Sequence, residues 1–164
     1  MNNQLNGKKI LVLVSNGVDE AAMSTVQREL LKTGAILKTV GTEPGLVNSW
    51  NNNVWGLYFP VDQQISQTLG SDFDCLVVPS GARGILKLAS NPHAARVISG
   101  FVATGKPMAF MGDAVTLLEK TGFAEHAKNS AVLNSDSVAQ IAAHFAGVKE
   151  DMIAGLGEKM MVAA

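Results

Sequence analysis

Residues Lys9 to Val14 include five consecutive apolar side chains, Ile10-Leu11-Val12-Leu13-Val14. A strand with one wetted face alternates apolar and polar residues. An unbroken branched run is what a strand buried on both faces requires, and such strands belong to parallel sheets sandwiched between helices. The next residues fit the same unit. Ser15-Asn16-Gly17 reads as a turn, and Asp19 and Glu20 put negative charge where a helix N-terminus favours it. Met23, Val26 and Leu30 give that helix one apolar face, Gly34 ends it, and Ala35 to Val40 reads as a second strand.

The alternation continues. Phe73 to Pro79 is a third strand, broken by Ser80-Gly81 and followed by a helix over Ala82 to Ala89. Asn91-Pro92 pairs a capping residue with a first-turn proline, opening a helix that runs to about Thr104 and stops at Gly105. Lys106 to Met111 is a fourth strand and Asp113 to Lys120 its helix. Ala131 to Leu133 is a last short strand, and Ser135 or Asp136 caps a final helix through about Phe145. The stretch Gly41 to Asn53 reads as a loop, either a hairpin or an excursion that covers another surface. Gly56 to Val61 is a short strand that Pro60 keeps off the sheet centre, and Asp62 to Leu69 a short helix. The expected fold is a flavodoxin-like α/β sandwich, a mostly parallel sheet with helices on both faces. It is expected as one domain over residues 1–164, with its core at about 8–145.

Composition narrows the function classes. Hydrophobic residues make up 47% of the 164 and charged residues 16%, with a formal net charge of -1. No basic run or aromatic-basic stripe suits nucleic acid. No apolar run approaches the ~18 residues of a membrane span, and Met1 to Gly7 lacks the apolar centre of a signal peptide. With a single cysteine, the expectation is a soluble cytoplasmic protein. There is neither a GxGxxG nor a GxxxxGK[ST] pattern, and no cofactor is expected. His93, His126 and His144 lack metal-ligand spacing, so no metal is expected either. Cys75 lies mid-strand and reads as a small buried hydrophobe.

In an open parallel sheet, ligands bind beyond the carboxyl ends of the strands. Three such ends carry candidate residues: Asn16 and Gly17, then Ser80, Gly81 and Arg83, then Gly112 and Asp113. Each is also ordinary turn chemistry. Asp113 reads as a general acid or base if burial raises its pKa, or as a cap on its own helix if it accepts that helix's amides. Trp50, Trp55, Tyr58 and Phe59 form an aromatic cluster, either a partner contact or a cover for the sheet edge. Met160-Met161 in the tail either packs on a partner or is disordered.

Four segments together resemble the ThiJ/PfpI group of the class I glutamine amidotransferase-like fold. They are Lys9 to Glu20, Leu30 to Ala35, Asp72-Phe-Asp-Cys-Leu-Val-Val-Pro-Ser-Gly81, and Gly105-Lys-Pro-Met-Ala-Phe-Met-Gly-Asp-Ala-Val-Thr-Leu-Leu118. The resemblance implies that active members use a cysteine at the strand-to-helix elbow, usually followed by histidine, with a glutamate after the first strand. Here the cysteine position matches Gly112, the histidine position Asp113, and the glutamate position about Ala22. The Gly-Asp-Ala corner is similar to the C-terminal domain of large-subunit catalases, which has this fold without the nucleophile.

Two functions are therefore expected. One is a catalytically degenerate domain with an assembly, stability or small-ligand role, forming a homo-oligomer. The other is a hydrolase of protease, amidase or glyoxalase type with altered chemistry, in which Asp113 works with Asp19 or Glu20. A weaker third is a cysteine hydrolase using Cys75.

Overall fold

A computed structural model describes residues 4–128 and 131–147 of the chain. Nine strands and five α-helices succeed one another along these described residues: β1 Lys9–Val14, β2 Val18–Asp19, α1 Glu20–Leu31, β3 Ile36–Gly41, β4 Leu46–Asn51, β5 Val54–Pro60, β6 Gln63–Gln64, β7 Cys75–Val78, α2 Ala82–Ala89, α3 Pro92–Thr104, β8 Met108–Phe110, α4 Val115–Lys120, β9 Val132–Asn134 and α5 Val138–Phe145. Six strands form the main sheet in the order β6-β3-β1-β7-β8-β9, every pair parallel. A separate small sheet has the order β2-β4-β5. The flavodoxin-like sandwich expected from the apolar runs is what the chain forms.

The unbroken run in β1 fills both layers at once. Ile10, Val12 and Val14 pack with Met23, Val26 and Leu30 of α1 and with Ile141 and Phe145 of α5. Leu11 and Leu13 point the other way, to Leu88 of α2, Ile98 and Phe101 of α3 and Leu117 of α4. Ile10 to Leu13 are fully buried, and burying each such side chain is worth about 1.5–3 kcal/mol. Two residues of the motif segments prove to be staples of the sheet. Asp74 Oδ2 accepts the Lys9 amide at 2.9 Å, fixing the start of β1 against β7. Lys106 Nζ donates to the Phe73 carbonyl at 2.7 Å, fixing the start of β8.

Local signals explain the helix ends. Asn91 Oδ1 accepts the His93 amide at 2.9 Å, Pro92 opens α3, and Gly105 closes it in the left-handed region at φ 67°. Three sequence expectations are corrected. Asp62 to Leu69 is not a helix. Asp62 exchanges bonds with Thr39, its amide to the carbonyl and its carboxylate from the amide, and this holds the chain extended into β6 before a 3₁₀ turn at Ile65–Gln67. The cap of α5 is Ser137, whose hydroxyl accepts the Gln140 amide, not Ser135 or Asp136. The segment after β8 opens with a 3₁₀ turn at Gly112–Ala114, and α4 starts only at Val115. Met160 and Met161 lie outside the described residues.

Cys75 sits in β7 with no exposed surface, and burial pushes its thiol up to about 12 from 9.0. The folded state therefore favours the neutral thiol, and stability should fall as pH rises between those two values. Native protein is expected to leave Cys75 unlabelled by thiol reagents until it unfolds. Urea midpoints for wild type should drop from pH 9 to pH 12 more steeply than for Cys75→Val. Rapid native labelling would contradict the burial.

Candidate functional site

The chain passes from β1 to β3 on one side of the sheet and later to β7 on the other, so the switch point lies between β1 and β7. Helices and loops diverge there, and a crevice opens beyond the carboxyl ends. It is an open cleft of about 500 Å³, lined by Gly17, Asp19, Ser80, Gly81, Ala82, Arg83 and Asp113, with Trp50, Asn52 and Asn53 across from them. Three strand ends meet in it: the turn after β1, the entry to α2 after β7, and the elbow after β8.

Close backbone approach shapes the floor. Gly81 has φ 135°, and a Cβ there would lie 2.5 Å from the Asp19 amide nitrogen. Only glycine lets the Ser80 carbonyl accept the Asp19 amide at 2.9 Å while α2 begins at the next residue. Gly112, at φ 51°, makes the elbow; a Cβ there would lie 3.3 Å from Ser80 Cβ and 3.5 Å from Asp136 Oδ1.

The candidate residues separate into two groups. Asp19, Gly17, Ser80, Gly81, Arg83 and Asp113 converge on the cleft. Asp113 is not a cap on its own helix: its Oδ1 accepts the Gly81 amide at 2.8 Å, from the loop after β7. Ser80 Oγ donates to Asp19 Oδ2 over a long 3.4 Å. Asn16, Glu20 and Gly112 do not line the cleft. Asn16 faces the small sheet, its Oδ1 accepting the Asn48 amide at 2.8 Å. Glu20 is spent on β4 and β5. It accepts the Leu57 amide at 2.7 Å, Ser49 Oγ at 3.1 Å and Asn51 Nδ2 at 3.2 Å. Gly56 leaves room for that carboxylate, which a Cβ would overlap.

The opposite wall is what sequence reading left open. Gly41 to Asn53 is not one loop, since β4 and β5 form an antiparallel hairpin across it. Asn52 and Asn53 both take positive φ, 49° and 68°, and Asn51 pairs with Val54. That is a two-residue turn of the type that fits strand twist, and Asn tolerates it well. The turn brings Trp50 over the cleft. Trp55 meets Trp50 edge-on at 4.9 Å, and the Arg83 guanidinium lies 4.0 Å from the Trp50 ring centroid. The signal that could have found this wall was an Asn-Asn pair between two strand-like segments.

The two helix-borne histidines are engaged elsewhere: His93 Nδ1 accepts from Arg96, and His144 Nε2 bonds the Ala131 carbonyl. Among the described residues, no three His, Cys, Asp or Glu side chains converge to hold a metal, and no helix is long and apolar enough to cross a membrane.

Known proteins share this framework. Solved structures with the same fold include an oxidised DJ-1 of Toxoplasma gondii, with 21% identity and TM-score 0.65 over 73% of this chain and 64% of that one. The chain thus spans less than two thirds of the Toxoplasma protein. DJ-1beta of Drosophila melanogaster matches at 20% identity and TM-score 0.71, over 86% and 91% of the two chains. A ThiJ/PfpI domain protein of Brachyspira murdochii matches at 16% identity and TM-score 0.67, over 87% and 96%. At these identities the likeness is one of fold. No curated protein matches the chain.

Removing the Glu20 carboxylate is expected to loosen the hairpin. Glu20→Ala should cost about 1.5–3 kcal/mol of stability, the range for a charge-assisted hydrogen bond. Amide exchange should accelerate in β4 and β5 while β1 and β7 stay protected. Equal acceleration everywhere, or none, would show that the carboxylate does not hold the hairpin. The DJ-1/PfpI family matches residues 8–152, which takes in both the sheet and the cleft, and the chain belongs to that family.

Proposed function

We propose that this chain is a non-covalent member of the family, a domain that binds a small polar ligand in the cleft and has lost the thiolate mechanism the family resemblance implies. The observation that carries this reading is the elbow. The position from which a nucleophile is presented is Gly112, at φ 51° and without a side chain. The cysteine at residue 75 is buried in the sheet with its thiol held neutral, and a nucleophilic cysteine needs exposure and a lowered pKa. The elbow surroundings are also adverse to a thiolate, because Asp113 follows it and the Asp136 carboxylate lies where a side chain would emerge. The Gly81 amide, in the turn between β7 and α2, is not free to polarise a carbonyl, because it already donates to Asp113.

Self-association belongs to the same reading. The hairpin segment Leu46 to Pro60 contains no charged residue. Leu46, Val54, Trp55, Leu57 and Tyr58 are all at least half exposed on it, and β5 is an edge strand. Edge strands are ordinarily protected by charge. A neutral edge can meet its own two-fold copy without like-charge repulsion, so a homodimer through β5 is the partner this surface suits. Leu57→Lys should convert a dimer to a monomer in sedimentation equilibrium. A wild-type monomer at every concentration would remove this part of the reading.

A second reading is favoured by one observation: Asp19 and Asp113 share the cleft. Two carboxylates can divide acid and base duties, while Glu20, bound to the hairpin, drops out of that pair. Purified protein and Asp113→Ala should both fail to turn over a panel of peptides, amides and α-oxoaldehydes. Turnover by wild type that Asp113→Ala abolishes would overturn the non-covalent reading in favour of carboxylate chemistry.

A further inference from the structure

Among the described residues the cleft holds three charged side chains, and none of them is neutralised. Arg83 makes no ion pair or hydrogen bond among those residues. Its guanidinium is instead held against the Trp50 ring at 4.0 Å. This contact spends none of its N–H donors on a hydrogen bond among the described residues. Trp50 in turn is steadied by Trp55. Neither Asp19 nor Asp113 has a cationic partner among the described residues. Asp113 is anchored by the Gly81 amide at 2.8 Å, and Asp19 is reached only by Ser80 Oγ. Asp113 is anchored by a backbone amide and Arg83 lies against a ring, and no ion pair forms between Arg83 and either carboxylate, so charges of both signs stand open to a ligand in one cleft.

Resting on the reading of the cleft as a ligand site, we propose that its ligand class is a free α-amino acid, bound as the zwitterion. Arg83 would take the carboxylate through its planar fork, a match that an ammonium side chain could not make. Asp19 and Asp113 would accept the α-ammonium, whose three N–H donors suit two carboxylates. A simple anion would gain Arg83 but face two carboxylates. A simple cation would gain the carboxylates but face Arg83. A molecule carrying both charges satisfies Arg83 and the carboxylates together, and the cleft of about 500 Å³ leaves room for its side chain.

The test is a titration of uniformly ¹⁵N-labelled protein with each free L-α-amino acid, with propionate and ethylamine as single-charge controls. The Trp50 indole, the Arg83 Nε–H and the Gly81 amide are the reporters. At least one amino acid should shift all three and bind tenfold or more tightly than either control. Arg83→Gln and Asp113→Asn should each weaken it by a similar factor, and both spectra would show whether the variants stay folded. Propionate or ethylamine binding as well as the amino acids would overturn the proposal. So would the absence of any amino-acid shift at millimolar concentration. If neutral amides or α-oxoaldehydes shift the same reporters while amino acids do not, the cleft remains a ligand site and only the zwitterion class fails. Turnover of any probe would instead defeat the non-covalent reading itself.

Discussion

The carboxylate of Glu20 joins the two sheets of this protein. It stands in the first turn of α1, behind the central strand, and collects the Leu57 amide, Ser49 Oγ and Asn51 Nδ2 from the hairpin. The two-residue β2-β4 ladder, the Asn16 and Gly17 bonds to Asn48, and the buried Val47 and Phe59 share with the carboxylate the work of tying the hairpin to the frame beside the cleft. With it, β4 is set at one angle, its turn carries Trp50 over the strand ends, and Trp50 holds Arg83. One wall of the cleft therefore depends on a residue that does not touch the cleft. The absence of a side chain at Gly56 matters for the same reason, since a Cβ there would overlap the carboxylate.

The other wall belongs to the main sheet. Its switch point, between β1 and β7, would open a crevice whatever residues lined it. The elbow here is Gly112, in the left-handed region at φ 51°, and the Asp113 carboxylate beside it accepts the Gly81 amide. The charged groups that line the cleft are Asp19, Arg83 and Asp113. Fold alone does not say what they act on.

Much of the frame could be read from the sequence because its signals are local. The run in β1, the Asn91-Pro92 start and the Gly105 stop of α3 each depend on a few adjacent residues. Six of the candidate residues could likewise be placed in one cleft, because strand ends in a parallel sheet must converge. The rest was set by pairing over long separations. Glu20 and Leu57 lie 37 positions apart, so no pattern near Glu20 tells that it serves the hairpin instead of the cleft. Asp62 looked like a helix start until Thr39 claimed both its amide and its carboxylate. Asp113, a good helix cap by type, was drawn across to Gly81 by the meeting of two loops.

The central claim is that the cleft binds without forming a bond to its ligand. Intact-mass spectrometry of native protein, after exposure to acylating probes and α-oxoaldehydes, tests it most directly. The account predicts no adduct on Asp19, Ser80 or Asp113, with any modification confined to exposed lysine and arginine side chains, Arg83 included. A stoichiometric acyl or oxoaldehyde adduct mapped to Asp19, Ser80 or Asp113 would contradict it.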